Sequence, residues 1–241
     1  MANTFGTWAD HLALTPSSGD VHRFNDSVFN EAYFDGTKWR YLVNGKEMVP
    51  PTSSTFTWLN RTSGGQTASV NHNHGGEYLQ APPVSGDHFR GRYETAPSPP
   101  YVLRATIAMN IPGLDYAFIG VGWRESSSGK LVIPLAVHAV SIGGFVWPHI
   151  AKANSPTDFS PGNYGINLRV GAMSSNQMLH FEIEDDNANR IVRLSSEGLE
   201  FEQAQSVGRG DFCTPDQIMW GMNSNNTSYQ VGGRLIHWKK A

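Results

Sequence analysis

Cysteine is almost absent: Cys213 is the only one in 241 residues. An intrachain disulfide is excluded, and so is any zinc site built on paired cysteines. Charge is also scarce, at 16% of residues, with a net charge of −3 and no basic block. Nucleic-acid binding therefore has no electrostatic footprint. No apolar run approaches the roughly 18 residues that a membrane-spanning helix needs, so no membrane insertion is expected. The first twenty residues, MANTFGTWADHLALTPSSGD, have neither a charged start nor an apolar core, and no signal peptide is expected. Synthesis in a cytosol follows, and the sequons at Asn25, Asn60 and Asn226 then carry little weight. No stretch sustains a 3.6-residue period, so helix content should be low. G-x-S-x-G, Walker and Rossmann signatures are missing too.

Turn formers are plentiful, with 25 Gly and 14 Pro, and hydrophobic residues reach 39%. That mix predicts many short strands joined by tight turns. Residues 1–19 read as an arm ending in the loop TPSSGD. Residues 20–49 read as a three-stranded meander, with hairpin turns at Asp35-Gly36 and Asn44-Gly45. Pro50-Pro51 and TSST form a linker. From there strand follows strand: YVLRATIAM, YAFIGVGWR, KLVIPLAVHAV, MLHFEIED, RIVRLSS, DQIMWGMN, RLIHWKK. The spacing predicts an all-β, antiparallel sandwich over 51–241, preceded by an arm and small β-meander at 1–50.

The acidic stretch HFEIEDDNAN tests for glycoside hydrolysis. Phe181 and Ile183 should face one way, and His180, Glu182 and Glu184 the other. Asp185 to Asn189 reads as an Asx-rich turn. Jelly-roll glucanases carry E-x-D-x-x-E on one strand, which sets two carboxyls on one face. Here the run from Glu184 ends in Asn189, which cannot protonate a leaving group. No catalytic residue is assigned, and Glu182, Glu184 and Asp186 are expected to be turn or solvent-facing residues.

Other motifs each have a sharp and a plain reading. His72 and His74, two apart in NHNH, could hold a metal at a symmetry axis, or simply cap a polar hairpin. Arg209-Gly210-Asp211 spells an integrin tripeptide that any turn can supply by chance. Cys213 beside Phe212 reads as a buried thiol. Trp123, Arg124, Trp147 and His149 are glycan-site candidates, since aromatic rings beside polar groups stack on sugar faces; a sandwich also needs large inward residues, so most tryptophans should be core. No cofactor is expected. Phe34, Trp39 and Tyr41 are too much for one thin meander to bury, which predicts self-association, a trimer being favoured, with these rings at the subunit contact.

The segments FTWLN, GGEYLQAP, APSPPYVLRA, VGWRESSSGKL, NSPTDFS, IEDDNANRIVRLSSEGLEF, VGRGDFCTPDQIMW and GGRLIHWK occur in that order over about 190 residues. Together they resemble the concanavalin A-like lectin/glucanase domain of bacteriophage virion proteins, and FDGTKWRYLVNGKEMVPP resembles a short module that precedes it. The resemblance implies a jelly-roll sandwich in a virion surface component such as a tail fibre, receptor-binding or decoration protein. It implies other virion proteins as partners, frequent oligomers and a host cell-surface glycan as ligand. Neither glucanase carboxylates nor legume-lectin metal ligands carry over. The expected function is a non-enzymatic virion structural protein displaying a lectin-like domain. The alternatives are an architectural decoration or adaptor protein and, less favoured, a glycan hydrolase.

Overall fold

The structure, a computed structural model, describes residues 2–25, 29–72, 75–110, 115–139, 145–164, 178–196, 199–224 and 230–241. Among these, the side chains at 8, 53, 109–110, 115–117, 135–139, 145–149, 160–164, 196, 199–205 and 224 lie outside the description. The N-terminal part contains β1 (Asn3–Gly6), α1 (Trp8–Leu12), β2 (Val21–Phe24), β3 (Glu31–Phe34), β4 (Trp39–Val43) and β5 (Lys46–Met48). A single 3-10 turn at Ser53–Thr55 leads to β6 (Thr57–Leu59), β7 (Thr62–Ser63), β8 (Gln66–Thr67), β9 (Ser69–Asn71), β10 (Glu77–Ala81) and β11 (Arg90–Thr95). The long strands follow: β12 (Tyr101–Asn110), β13 (Asp115–Arg124), β14 (Leu131–Ala139), β15 (Phe145–Ser155) and β16 (Asp158–Tyr164). The series closes with β17 (Met178–Asp185), β18 (Asn189–Ser196), β19 (Leu199–Gly208), β20 (Gln217–Ser224) and β21 (Val231–Lys240).

Two seven-stranded sheets pack face to face, one ordered β19-β18-β17-β12-β21-β10-β9 and the other β16-β15-β14-β13-β20-β11-β6. This is the expected all-β jelly-roll sandwich. Every described pairing in the two sheets is antiparallel. Alternation does the work. On β12, Leu103, Ala105 and Ile107 point inward, and on β17 Leu179, Phe181 and Ile183 do so. Trp220, Val121 and Ile218 meet them from the other sheet. Each such side chain contributes about 1.5–3 kcal/mol on burial.

A third, five-stranded sheet, β1-β2-β3-β4-β5, lies on the outer face of the first sandwich sheet, here the docking sheet. Its last hairpin turns at Asn44 and Gly45, which take φ of 49° and 76°, the paired left-handed geometry of a two-residue hairpin. Residues 1–19, read from sequence as an arm, carry structure of their own. Residues Asn3–Gly6 pair in parallel with Val21–Phe24, and Thr7 opens α1 through a capping box with Asp10. Thr7 N donates to Asp10 Oδ2 at 2.7 Å and Asp10 N to Thr7 Oγ1 at 3.1 Å.

The three meander aromatics also differ from expectation. Phe34, Trp39 and Tyr41 are half-buried, none exposed. His11 of α1 lies 4.5 Å from the Trp39 ring and 5.6 Å from Tyr41, and Phe34 stacks edge-on to Trp39 at 5.6 Å. From the opposite side Ile236 and Met178 of the sandwich complete the cluster. The chain covers these rings itself, which removes the argument that they need a subunit contact.

A β-bulge makes that docking possible. On β21 the pairing with β12 skips Ile236, running Thr106 to His237 and then Ile107 to Leu235. Leu235 and Trp238 stay in the sandwich core, while Ile236 and His237 turn outward together. Ile236 enters the N-terminal cluster. His237 Nδ1 accepts from Val49 N at 2.8 Å, and Trp238 N donates to Val49 O at 2.9 Å.

The other, far sheet is filled on its outer face. Phe89, Leu131, Ile133, Ala151, Ala153 and Met219 form a second apolar cluster there. Phe89 N donates to Pro156 O at 2.9 Å, so the sheet curls until a segment beside β11 meets the β15–β16 turn.

Two histidines tie the N-terminal sheet to neutral pH. Burial, with His22 adding to it, pushes His11 down to about 4. Burial, helped by Lys239, His180 and Arg104, does the same to His237. Unfolded histidine titrates near 6.5. The stabilisation is therefore present above about pH 6.5 and is lost as pH falls towards 4, by up to about 3 kcal/mol per histidine. Hydrogen exchange at pH 7 and pH 4.5 is expected to show β1–β5 losing protection first, with β12 and β13 still closed. Equal loss in all three sheets would contradict this.

Candidate functional site

Between β5 and the docking sheet lies a cleft of about 450 Å³. Alternation builds its floor. The inward residues of β12, β17 and β18 fill the core, so the intervening ones face out in cross-strand rows. One row is Arg104, Glu182 and Arg193, and the next is Thr106, His180 and Ser195. His237 stands beside Thr106 in the adjoining ladder. Lys46, Glu47 and Met48 of β5 supply the wall.

The floor is cross-linked. Glu182 accepts from Arg104 Nε at 2.7 Å and from Arg193 Nη1 at 2.6 Å, and the same Arg193 nitrogen lies 3.3 Å from Glu184. These carboxylates raise the Arg193 pKa further above its ordinary value. Thr106 Oγ1 and His180 Nδ1 are 2.9 Å apart. Glu182 and Glu184 are thus members of an ion-pair network, not the plain solvent-facing residues expected from alternation alone. Asp186 does sit in the turn: it accepts from Ala188 N at 2.8 Å and from Asn189 N, which lower its pKa. Asp185 points inward, 1% exposed, and takes both contacts of Arg209 Nε, at 2.8 and 3.0 Å.

This arrangement bears on hydrolysis. A glycosidase sets the scissile bond between two carboxyls. Between Glu182 and Glu184 the space is taken by the Arg193 guanidinium. What the cleft offers is a dense array of hydrogen-bond donors and acceptors on a rigid sheet.

The residues singled out from sequence fall elsewhere. Trp123 is fully buried in the sandwich core, its Nε1 donating to Tyr101 Oη at 2.9 Å. It cannot stack on a sugar. Arg124, the next residue, emerges on the outer face of the far sheet, lies over the Tyr93 ring at 5.2 Å and donates to Gln217. Trp147 and His149 pair with Val137 and Leu135 in the β14–β15 ladder, and their side chains lie outside the described residues. His72 is exposed, 3.7 Å from the buried Glu77, while His74 lies outside the described residues. Among the described residues no three His, Cys, Asp or Glu side chains gather to hold a metal. Arg209 of the tripeptide is held by Asp185, and Asp211 lies 3.6 Å from Lys152. Cys213 is buried, as expected, with burial pushing its thiol up. The cleft itself was not read from sequence, because Lys46, Glu47 and Met48 lie far along the chain from Arg104, His180 and His237; the alternation in YVLRATIAM and HFEIED was the signal for its floor.

No protein-family model matches the chain, and no curated protein matches it by sequence. Among solved structures the chain is similar to the CBM2 module of the evolved Dit protein of Lactobacillus casei BL23 phage J-1. The TM-score is 0.50 at 9% identity, over 77% of this chain and 90% of that one. It is also similar to a seed lectin of Lotus tetragonolobus, at a TM-score of 0.46 and 10% identity over 79% of this chain and 94% of the lectin. The carbohydrate-binding module CBM66 of Bacillus subtilis gives 0.44 and 10%, over 80% and 98%. At such identities the likeness is one of fold, a jelly-roll sandwich. Among the described residues no helix is long and apolar enough to cross a membrane.

Neighbouring aspartates separate structural from surface roles. Asp185→Asn leaves Arg209 facing an amide at a buried position and should cost about 3 kcal/mol, within the range for breaking a buried pair. Asp186→Asn keeps a turn acceptor and should shift the melting temperature far less. Thermal unfolding of the two variants checks this; equal shifts would contradict the assignment.

Proposed function

We propose that the chain is a virion surface protein that displays a lectin-like sandwich and holds a host glycan without cleaving it. The observation that carries this is the cleft on the docking sheet: about 450 Å³, floored by Arg104, Thr106, His180, Glu182 and Ser195. Ligand sites commonly measure about 300–1,000 Å³. A mostly polar floor matches a hydroxyl-rich ligand better than an apolar one. The fold likeness to a carbohydrate-binding module of a phage protein supports both halves of the reading. So does the Arg193 guanidinium, which pairs with both Glu182 and Glu184 and so engages the two carboxylates that a hydrolase would need free.

In this reading residues 51–241 are the display domain and residues 1–50 the attachment module, facing other virion proteins. Phe5 and Leu12, 71% and 68% exposed at the outer edge of the N-terminal sheet, offer apolar surface for such a contact. The protein would be made in the host cytoplasm and carried on the particle. An architectural decoration or adaptor protein remains the other reading, and the same experiment separates the two.

A glycan array followed by calorimetry on the full chain should find a host-surface saccharide. Arg104→Met on the cleft floor should weaken it at least about tenfold, a loss of some 1.4 kcal/mol. Arg124→Met, on the far sheet, should not. The opposite pattern would move the site to the face of Arg124 and Trp147. No binding to any host saccharide would leave the architectural reading.

A further inference from the structure

We infer that the saccharide taken by this cleft carries negative charge, as a carboxylate or a phosphate, and that Arg104 and Arg193 receive it. The inference rests on the glycan reading above and specifies its ligand class. Each guanidinium carries five N–H donors in a planar fork. Arg104 gives Nε to Glu182, and Arg193 gives Nη1 to Glu182 and Glu184. Neither guanidinium has another partner among the described residues, so both keep donors in hand. Two guanidinium groups flanking one carboxylate are held in place by it, as a preorganised pair. Arginine forks match the two oxygens of a carboxylate or phosphate, which makes such contacts both strong and selective.

The carboxylates lining the cleft are already engaged, Glu47 with Arg40 at 2.8 Å and Glu182 with the two floor arginines. An arriving anion therefore meets paired carboxylates and unsatisfied guanidinium donors. Ser195 and Thr106 beside the arginines add hydroxyls suited to neighbouring sugar groups.

The test compares matched ligands on the full chain by calorimetry: oligogalacturonate against its methyl ester, and glucose 6-phosphate against glucose. The charged member of at least one pair should bind about tenfold more tightly at low salt, and the preference should shrink as salt rises, as screening requires. Which pair shows the preference distinguishes carboxylate from phosphate. Arg104→Met should bring the ratio within a pair close to one. If that variant does not fold, Arg104→Lys, which keeps the charge and loses the planar fork, carries the same test with a smaller loss. Equal binding of charged and neutral forms, with the variants weakening both alike, would overturn the inference and leave the glycan reading intact. Failure of every saccharide, charged or neutral, would overturn both.

Discussion

One extra residue on β21 shapes this molecule more than any other feature. Without the bulge at Ile236, strict alternation would send Ile236 and His237 to opposite faces of the docking sheet. With it, both turn outward. Ile236 becomes the apolar plug of the N-terminal sheet, and His237 the acceptor for Val49 N. Val49 is then held at both its N–H and its C=O by consecutive residues of one strand. The position of β5 follows from that double hold, and β5 is the wall of the cleft. Seating, joint and site thus share one backbone irregularity.

The His237 contact explains why the joint prefers a neutral ring. A ring nitrogen that accepts from Val49 N cannot also carry a proton, and protonation would set two donors against each other. Burial and the nearby cations Lys239 and Arg104 act in the same direction. The buried charges Arg190 and Asp185 each have partners. Arg190, fully buried over Trp123, donates to the carbonyls of Gly208 and Asp211 and towards Cys213, so the loop after β19 closes around the terminal nitrogens of its guanidinium. The adjacent Asp185–Arg209 pair fixes the same loop to the end of β17. An Arg-Gly-Asp string that looks like a recognition motif is here part of a structural knot.

Legibility in the sequence followed the range of the interactions involved. Strand parity is local, so the inward Phe181 and Ile183 and the outward Glu182 and Glu184 could be read from HFEIED, as could the turns at Asn44-Gly45 and Asp186–Ala188. The sandwich followed from many such strands in series. Trp123 and Arg124 show where local reading stops: alternation separates them by face but does not say which face is core. The bulge breaks parity at a point no residue type announces. The pairing that holds the arm was not legible because the parallel contact between β1 and β2 spans a helix and a loop, although the Thr7–Asp10 capping signal was present. The meander aromatics were misjudged for a related reason, since the groups that cover Trp39 and Tyr41 come from α1 and from β21.

The two outer faces of the sandwich have been put to different uses, and the difference explains where a ligand can sit. On the far sheet, curling brings Phe89 to Pro156 and closes apolar side chains over one another, so that face is spent on stability. The docking sheet stays open. Along the cleft its outer residues are mostly charged or hydroxylic and cannot collapse into a core, because a buried charge needs a partner for each contact. Covering them needs a polar counterpart, and β5 with Lys46 and Glu47 supplies one only along a single edge. A cleft remains because the covering sheet is narrow and is anchored by the apolar contact at Ile236, next to the polar rows and not over them. Shifting the N-terminal sheet by the length of one hydrogen bond would break the Val49 hold and move Lys46 away from the arginines. The seating of the N-terminal sheet and the width of the cleft are therefore coupled through one residue, Val49.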